Sequence, residues 1–189
     1  MISSGGDASE GERFERAPRI ETERLVLRAH RIEDLAASAT MWRDPDVVRF
    51  IGGRAFTHEE VWARTLRYAG MWAMIGRGFW AIEEKGTGRM VGEVGVMDAK
   101  RDMEPGFDGA PEVGWSLIPA AQGKGYATEA VTAALAWADR HVDAPMQVCI
   151  IDPDNAPSIR LAVKLGFRER LRTTYHGKET IQFERLRHV

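Results

Sequence analysis

Glu112-Val113-Gly114-Trp115-Ser116-Leu117-Ile118-Pro119-Ala120-Ala121-Gln122-Gly123-Lys124-Gly125-Tyr126-Ala127-Thr128-Glu129 changes its period midway. Residues 112–118 alternate as a strand does. From Ala127 onward the apolar residues Ala130, Val131, Ala134, Leu135 and Ala138 form one stripe at helical spacing. Glycines at such a junction let consecutive backbone amides converge on one anion, and the helix N-terminus adds roughly half a positive charge. The turn from Gln122 to Thr128 is a candidate phosphate cradle. The same residues would also serve as an ordinary tight strand-to-helix connection.

Upstream, residues 24–30 alternate like an opening strand, and Ile32 to Trp42 carries a helical stripe. Asp44-Pro45 reads as an N-cap with proline at the first helical position, and Thr57 with Glu60 forms a capping box before a second helix. Residues 79–84 and 89–98 read as a hairpin turning at Lys85-Gly86-Thr87-Gly88. Downstream, Met146 to Ile151 is a nearly continuous apolar run, as in a strand buried on both faces. Asp152-Pro153-Asp154-Asn155 then caps a short helix that ends at Gly166, and two strands, 167–175 and 179–186, follow. Residues 1–17, rich in Gly, Ser and acid, are expected to be a flexible tail, and 18–189 a single domain.

The chain has 189 residues, 44% hydrophobic and 29% charged, with a formal net charge of −2, a balance that suits one compact domain and gives no nucleic-acid footprint. Cys149 is the sole cysteine, so no intramolecular disulfide forms, and a reducing, cytoplasmic compartment is expected. The five histidines have no ligand spacing, so no metal is expected. The longest apolar run falls far short of the ~20 residues that cross a bilayer, so no membrane partner is expected.

Two common nucleotide motifs fail at the cradle. A dinucleotide fingerprint would need glycine where Thr128 stands, and a Walker loop needs Ser or Thr after Lys124, where Gly125 stands. Gln122, Gly125 and Ala127 instead match the pyrophosphate motif of the GNAT acetyltransferases. Asn155-Ala156-Pro157-Ser158 and Lys164-Leu165-Gly166-Phe167 resemble that family's second signature at the matching distance. With Gly125 to Ala130, these segments are most similar to the branch of the ribosomal-protein-alanine N-acetyltransferases, and the order of elements agrees from Arg24 to Leu186.

The resemblance implies an α/β fold: a mixed, mostly antiparallel central sheet of about six or seven strands, flanked by helices on both faces. It implies acetyl-CoA as co-substrate and direct transfer of acetyl to a primary amine, with a protein or peptide α-amino group as the leading acceptor. A small amine (amino acid, polyamine or aminoglycoside) is the enzymatic alternative, and a non-catalytic acyl-CoA sensor the other; a homodimer stays open. The cofactor residues implied are Gln122, Gly123, Lys124, Gly125, Tyr126, Ala127 and Thr128 for the pyrophosphate, an amide of Leu117 or Ile118 for the thioester carbonyl, and Asn155 for the pantetheine arm.

A general base must take a proton from the acceptor ammonium. Glu112 stands near the place where the superfamily's histone acetyltransferases carry a catalytic glutamate. Glu93, between Gly92 and Gly95, is second, because flanking glycines leave room for a substrate. Each is otherwise a plain strand carboxylate. For the departing thiolate, the tyrosine common seven residues after the asparagine is replaced by Ala162, so Ser158 takes that role by resemblance, with Tyr175 as a more distant donor. Trp72, Trp80 and Trp115 are either pocket walls or core. Arg101, Asp102, Glu104 and Asp108 fall in a loop where no role is assigned.

Overall fold

Short alternating segments joined by glycine turns build a meander, and the longer apolar stripes become the helices that cover it. A computed structural model describes residues 14–107 and 109–187. Strands β1 (Ile20–Glu21) and β2 (Leu25–Arg28) lead through a 3-10 turn to α1 (Leu35–Met41), α2 (Pro45–Val48) and α3 (His58–Ile75). β3 (Phe79–Glu84), β4 (Arg89–Met97) and β5 (Glu112–Leu117) follow, then α4 (Tyr126–His141), β6 (Met146–Ile151), α5 (Ala156–Lys164), β7 (Arg168–Tyr175) and β8 (Lys178–Leu186). No helix among the described residues is long and apolar enough to cross a membrane.

Among the described residues the sheet has eight strands in the order β1-β2-β3-β4-β5-β6-β8-β7. It exceeds the expected strand count because β1, at two residues, is too short to show a period. The stripe at 32–42 begins as a 3-10 turn, and Asp44 opens a separate helical turn, its carboxylate accepting from the Asp46 amide at 2.9 Å. Three helices, not two, therefore separate β2 from β3. The capping box forms as read, with Glu60 N donating to Thr57 Oγ1 at 3.2 Å and Thr57 N to Glu60 Oε2 at 2.8 Å. Of the expected tail, residues 1–13 lie outside the described residues; Phe14 meets Trp137 edge-on at 5.4 Å.

Neighbouring strands are antiparallel except β5 and β6, which α4 connects as a crossover. That parallel pair is joined at Glu112 and Val148, where Val148 N donates to Pro111 O at 3.0 Å. Past this point the strands part. The two faces are covered differently: Val94 and Val96 of β4 pack with Ala130, Val131 and Ala134 of α4, while Glu93, turned to the opposite face, meets Ser38 of α1 and Tyr68 of α3. Trp72 and Trp80 lie in the core against Trp137, with ring centroids 4.7 to 5.3 Å apart.

His30, in the turn after β2, has both ring nitrogens shut from solvent and, among the described residues, without a hydrogen-bond partner; its ring lies 5.1 Å from Tyr68. Burial pushes its pKa down from the ordinary 6.5, and the nearby Glu93 and Asp34 charges offset this only in part, while Arg28 and Arg64 reinforce it. The folded state holds the ring neutral while the unfolded chain protonates it near 6.5, so its contribution to stability is intact above that pH and is lost as pH falls below it. Denaturant melts at about pH 7.5 and about pH 5.5 should show this loss, and His30→Phe should shrink it. An equal loss in the variant would place the acid sensitivity elsewhere.

Candidate active site

The parting of β5 and β6 leaves the carboxyl ends of two parallel strands facing a crevice, the position where open α/β sheets hold ligands. Each strand hands the chain to a helix start there: β5 to α4 through Pro119–Gly125, and β6 to α5 through Asp152–Asn155. Two cavities result, of about 410 and 320 Å³. They share a wall of Trp115, Ser116, Asn155 and Ser158, together with Phe50 and Ile51 from the loop after α2.

The first cavity is lined by the turn read from the sequence as a candidate cradle. Gly123 and Gly125 sit at φ 73° and 80°, where a β-carbon would be strained, and this lets the turn fold back onto the helix start. Helix geometry leaves the amides of Tyr126, Ala127 and Thr128 without intrahelical partners, and all three residues line the cavity beside Gln122, Gly123 and Gly125. Three expected contributions differ in detail. The Gln122 amide is already donated to Pro119 O at 3.0 Å, and its side-chain Nε2 donates to Leu117 O at 3.2 Å, so Gln122 shapes the turn. Lys124 is exposed and outside the lining, and its carbonyl accepts from Arg24. The Tyr126 hydroxyl turns away to donate to Glu84 Oε1 at 2.6 Å, so the residue offers its backbone alone.

Between the two expected oxyanion donors the ladder discriminates. Ile118 N donates to Val91 O at 3.0 Å, on the β4 side. Alternation turns the Leu117 amide to the opposite edge, toward the gap before β6, and Leu117 lines the first cavity. Asn155 Oδ1 caps α5 by accepting from Ser158 N at 3.2 Å, which leaves its amide group for the cavity. Trp115 Nε1 donates to Ser158 Oγ at 3.3 Å, so the serine proton is free to be donated elsewhere. Trp115 is thus both wall and positioning group, a role not chosen from the sequence.

The two candidate bases share the face turned toward α1 and α3 but not a site. Glu93 is 1% exposed and lines neither cavity: Tyr68 Oη donates to it at 2.9 Å and Trp42 Nε1 at 3.3 Å, with Arg64 Nε 3.9 Å away. The room beside it is not for substrate, because a β-carbon at Gly95 would stand 2.5 Å from the Phe79 ring and one at Gly92 2.3 Å from Ser116 O. Glu112 does line the second cavity, yet both oxygens accept from Arg101, Nε to Oε2 and Nη2 to Oε1, each at 2.6 Å. Both oxygens are thus engaged by one guanidinium. Tyr175 is in the second cavity, its hydroxyl accepting from Arg101 Nη1 at 3.2 Å. Burial opposes the Arg101 charge, but the bonds to Glu112 and Tyr175 outweigh it and raise its pKa. No group of three His, Cys, Asp or Glu among the described residues could hold a metal ion.

The sequence pattern of the acetyltransferase (GNAT) domain matches residues 24–168. The chain belongs to the GNAT acetyltransferases. An uncharacterized N-acetyltransferase, p20, of Bacillus licheniformis is 27% identical over 149 residues, 78% of this chain and 81% of that protein. A putative GNAT-family acetyltransferase from Bordetella pertussis is similar in structure at TM-score 0.79 and 34% identity, covering 89% of this chain and 99% of that one. The protein is an acetyl-CoA-dependent N-acetyltransferase, which sets aside the sensor reading. A ribosomal-protein-alanine acetyltransferase from Vibrio fischeri (20% identity, TM-score 0.72, 90% and 97% covered) and a spermidine N-acetyltransferase from Vibrio cholerae (16%, 0.70, 88% and 97%) share the fold. One is named for a protein acceptor and the other for a polyamine, so the fold does not choose between them.

The turn at 122–128 has a brace from the β1–β2 connection that local sequence does not reveal. Glu129 accepts from Thr22 Oγ1 at 2.6 Å and from Arg24 N and Nε at 2.7 Å, while Arg24 Nη1 donates to Lys124 O at 2.8 Å. Burial would raise the Glu129 carboxyl, but these bonds outweigh it and hold it below the usual carboxylate range. A preorganised loop binds more tightly than one ordered on binding, so Arg24→Ala should weaken acetyl-CoA affinity by about tenfold. At a hundredfold excess over its dissociation constant the wild type gains ~2.7 kcal/mol from the ligand, roughly 5 to 10 °C of melting shift. The variant should need more acetyl-CoA for the same shift, with turnover at saturation little changed. Equal affinity in a titration would show that the cradle holds itself.

Proposed function

We propose that this enzyme acetylates the α-amino group at the N-terminus of a protein or peptide, with acetyl-CoA in the first cavity and the amine in the second. The observation that carries the reading is the charge balance of the second cavity. Its lining sets Glu112, Asp152 and Glu179 against Arg64, Arg101 and Lys178. Several of these are already matched: Glu112 by Arg101 at 2.6 Å, Arg64 by Glu93 at 3.9 Å, and Glu179 by Arg172 at 3.3 Å. A peptide N-terminus brings one ammonium followed by neutral amides. A polyamine or aminoglycoside brings several cations and calls for uncompensated acid, because a desolvated charge needs a partner.

Acetyl-CoA supplies an activated acetyl thioester when bound. In this reading the amides of Tyr126, Ala127 and Thr128 hold the pyrophosphate, and the Leu117 amide faces the thioester carbonyl. A donor so placed was worth roughly 3 to 4 kcal/mol in the case measured for another enzyme. Ser158, oriented by Trp115, donates a hydrogen bond to the departing thiolate, which then takes its proton from the water of the cavity. Because Arg101 occupies Glu112, the acceptor ammonium loses its proton to water in the second cavity.

The acceptor is tested by free-thiol release from acetyl-CoA with a panel of peptides of differing N-terminal residue, spermidine, an aminoglycoside and free amino acids. Peptides should give the highest kcat/KM; spermidine outrunning every peptide would overturn the reading. Ser158→Ala should lower kcat by about tenfold, less than the roughly 10² to 10⁴ common for acid–base groups, because a thiolate leaves with little help. An unchanged kcat would move the hydrogen-bond donor elsewhere, with Tyr175 next.

A further inference from the structure

Arg101 stands in the β4–β5 connection, a segment whose mixed charges suggest nothing beyond a solvated loop. That segment is tied down across the neighbouring strands. Thr173 Oγ1 donates to Glu104 O and Gln182 Nε2 to Pro105 O, both at 2.7 Å, and Met103 is buried beneath it. The anchored arm delivers one guanidinium to the place where β5 and β6 begin to part. There Arg101 grips both oxygens of Glu112, which is 3% exposed, and lies 5.1 Å from the Tyr175 ring centroid.

A carboxylate so far removed from water requires a cation beside it. Two sources are within reach: a side chain of the protein, or an ammonium of the acceptor. We propose that Arg101 is a charge mask on Glu112, restricting the second cavity to acceptors that carry a single positive charge. The proposal rests on the reading of that cavity as the acceptor site. With the mask in place, a second ammonium on the acceptor finds Glu112 already taken and meets a guanidinium there instead. Without it, Glu112 becomes a buried acid seeking a cation, and a polycation supplies one.

The test compares Arg101→Gln, Glu112→Gln and the double variant with the wild type, on spermidine and on a peptide with a free N-terminus and neutral side chains. Low ionic strength, about 10 mM, keeps screening weak. The ratio of kcat/KM for spermidine over peptide should rise about tenfold in Arg101→Gln, since an uncompensated charge acts strongly in a partly desolvated site. It should fall in Glu112→Gln, which leaves the guanidinium alone, and return near the wild-type value in the double variant. Acetyl-CoA affinity should be the same in all four, because the cradle is built from other residues. A merely structural pair would lower both acceptors together and leave the ratio unmoved, and that result, or a shift of the same sign in both single variants, overturns the mask.

If Arg101→Gln does not fold, Glu112→Gln and the double variant still decide, because the fall and its reversal need no unpaired acid. If neither probe is turned over, their dissociation constants with coenzyme A bound carry the same ratio. A wild type that prefers spermidine would sink the peptide reading alone. The mask stands on how the ratio changes between variants.

Discussion

Everything functional in this molecule depends on two adjacent strands pairing at one place and then separating. β4 holds β5 from one side and β8 holds β6 from the other, through antiparallel ladders that run the length of the contact. Between them Glu112 and Val148 are the shared point. Backbone amides on the inner edges beyond that point lack a strand partner, and buried peptide groups do not go unpaired in stable proteins. The gap thus presents main-chain amides that a slender ligand or water can satisfy. The helices that start at its rim add their unsatisfied amides to the same space.

The ionic groups on the face away from α4 are held in fixed pairs. Opening a sheet exposes its interior to whatever the site admits, and charges near such an opening need fixed partners. Arg28 is held by Asp34 at 2.7 and 2.8 Å and by Glu83 at 2.6 Å, which fixes the turn leading into α1. Arg64 lies 3.9 Å from the Trp42 ring centroid and donates to Tyr68, joining α3 to the strand carrying Glu93. Buried ion pairs are weak sources of stability, because desolvation offsets much of their attraction. Their value here is positional, for they settle which side chains face the second cavity.

What the sequence disclosed and what it hid divide by range. The strand-to-helix turn at 122–128, the capping box at Thr57 and Glu60, and the left-handed Gly166 were legible because each is an interaction among neighbours a few residues apart. The Arg24–Glu129 brace spans 105 residues and the Arg101–Tyr175 contact 74, and no local pattern announces either. Glu93 drew attention through its flanking glycines, yet the space they leave belongs to Phe79, Ser116 and Leu117, an arrangement that depends on register with β3 and β5. Ile118 and Leu117 were indistinguishable as donors until the ladder showed which amide β4 consumes.

The far wall of the second cavity is the β7–β8 hairpin, where Tyr175, His176, Lys178, Glu179 and Thr180 come together. All of them lie beyond residue 168, where the match to the family pattern stops, whereas the cradle and the serine lie inside it. The hairpin is joined to the rest of the sheet through β8 alone, by main-chain bonds to β6 that do not depend on which side chains the turn displays. Substitutions in that turn can therefore accumulate without disturbing the turn at 122–128 or the start of α5. If the second cavity takes the acceptor, as proposed, the part of its wall on the hairpin can be retuned by natural selection while Arg101 and Glu112, inside the matched stretch, stay constant.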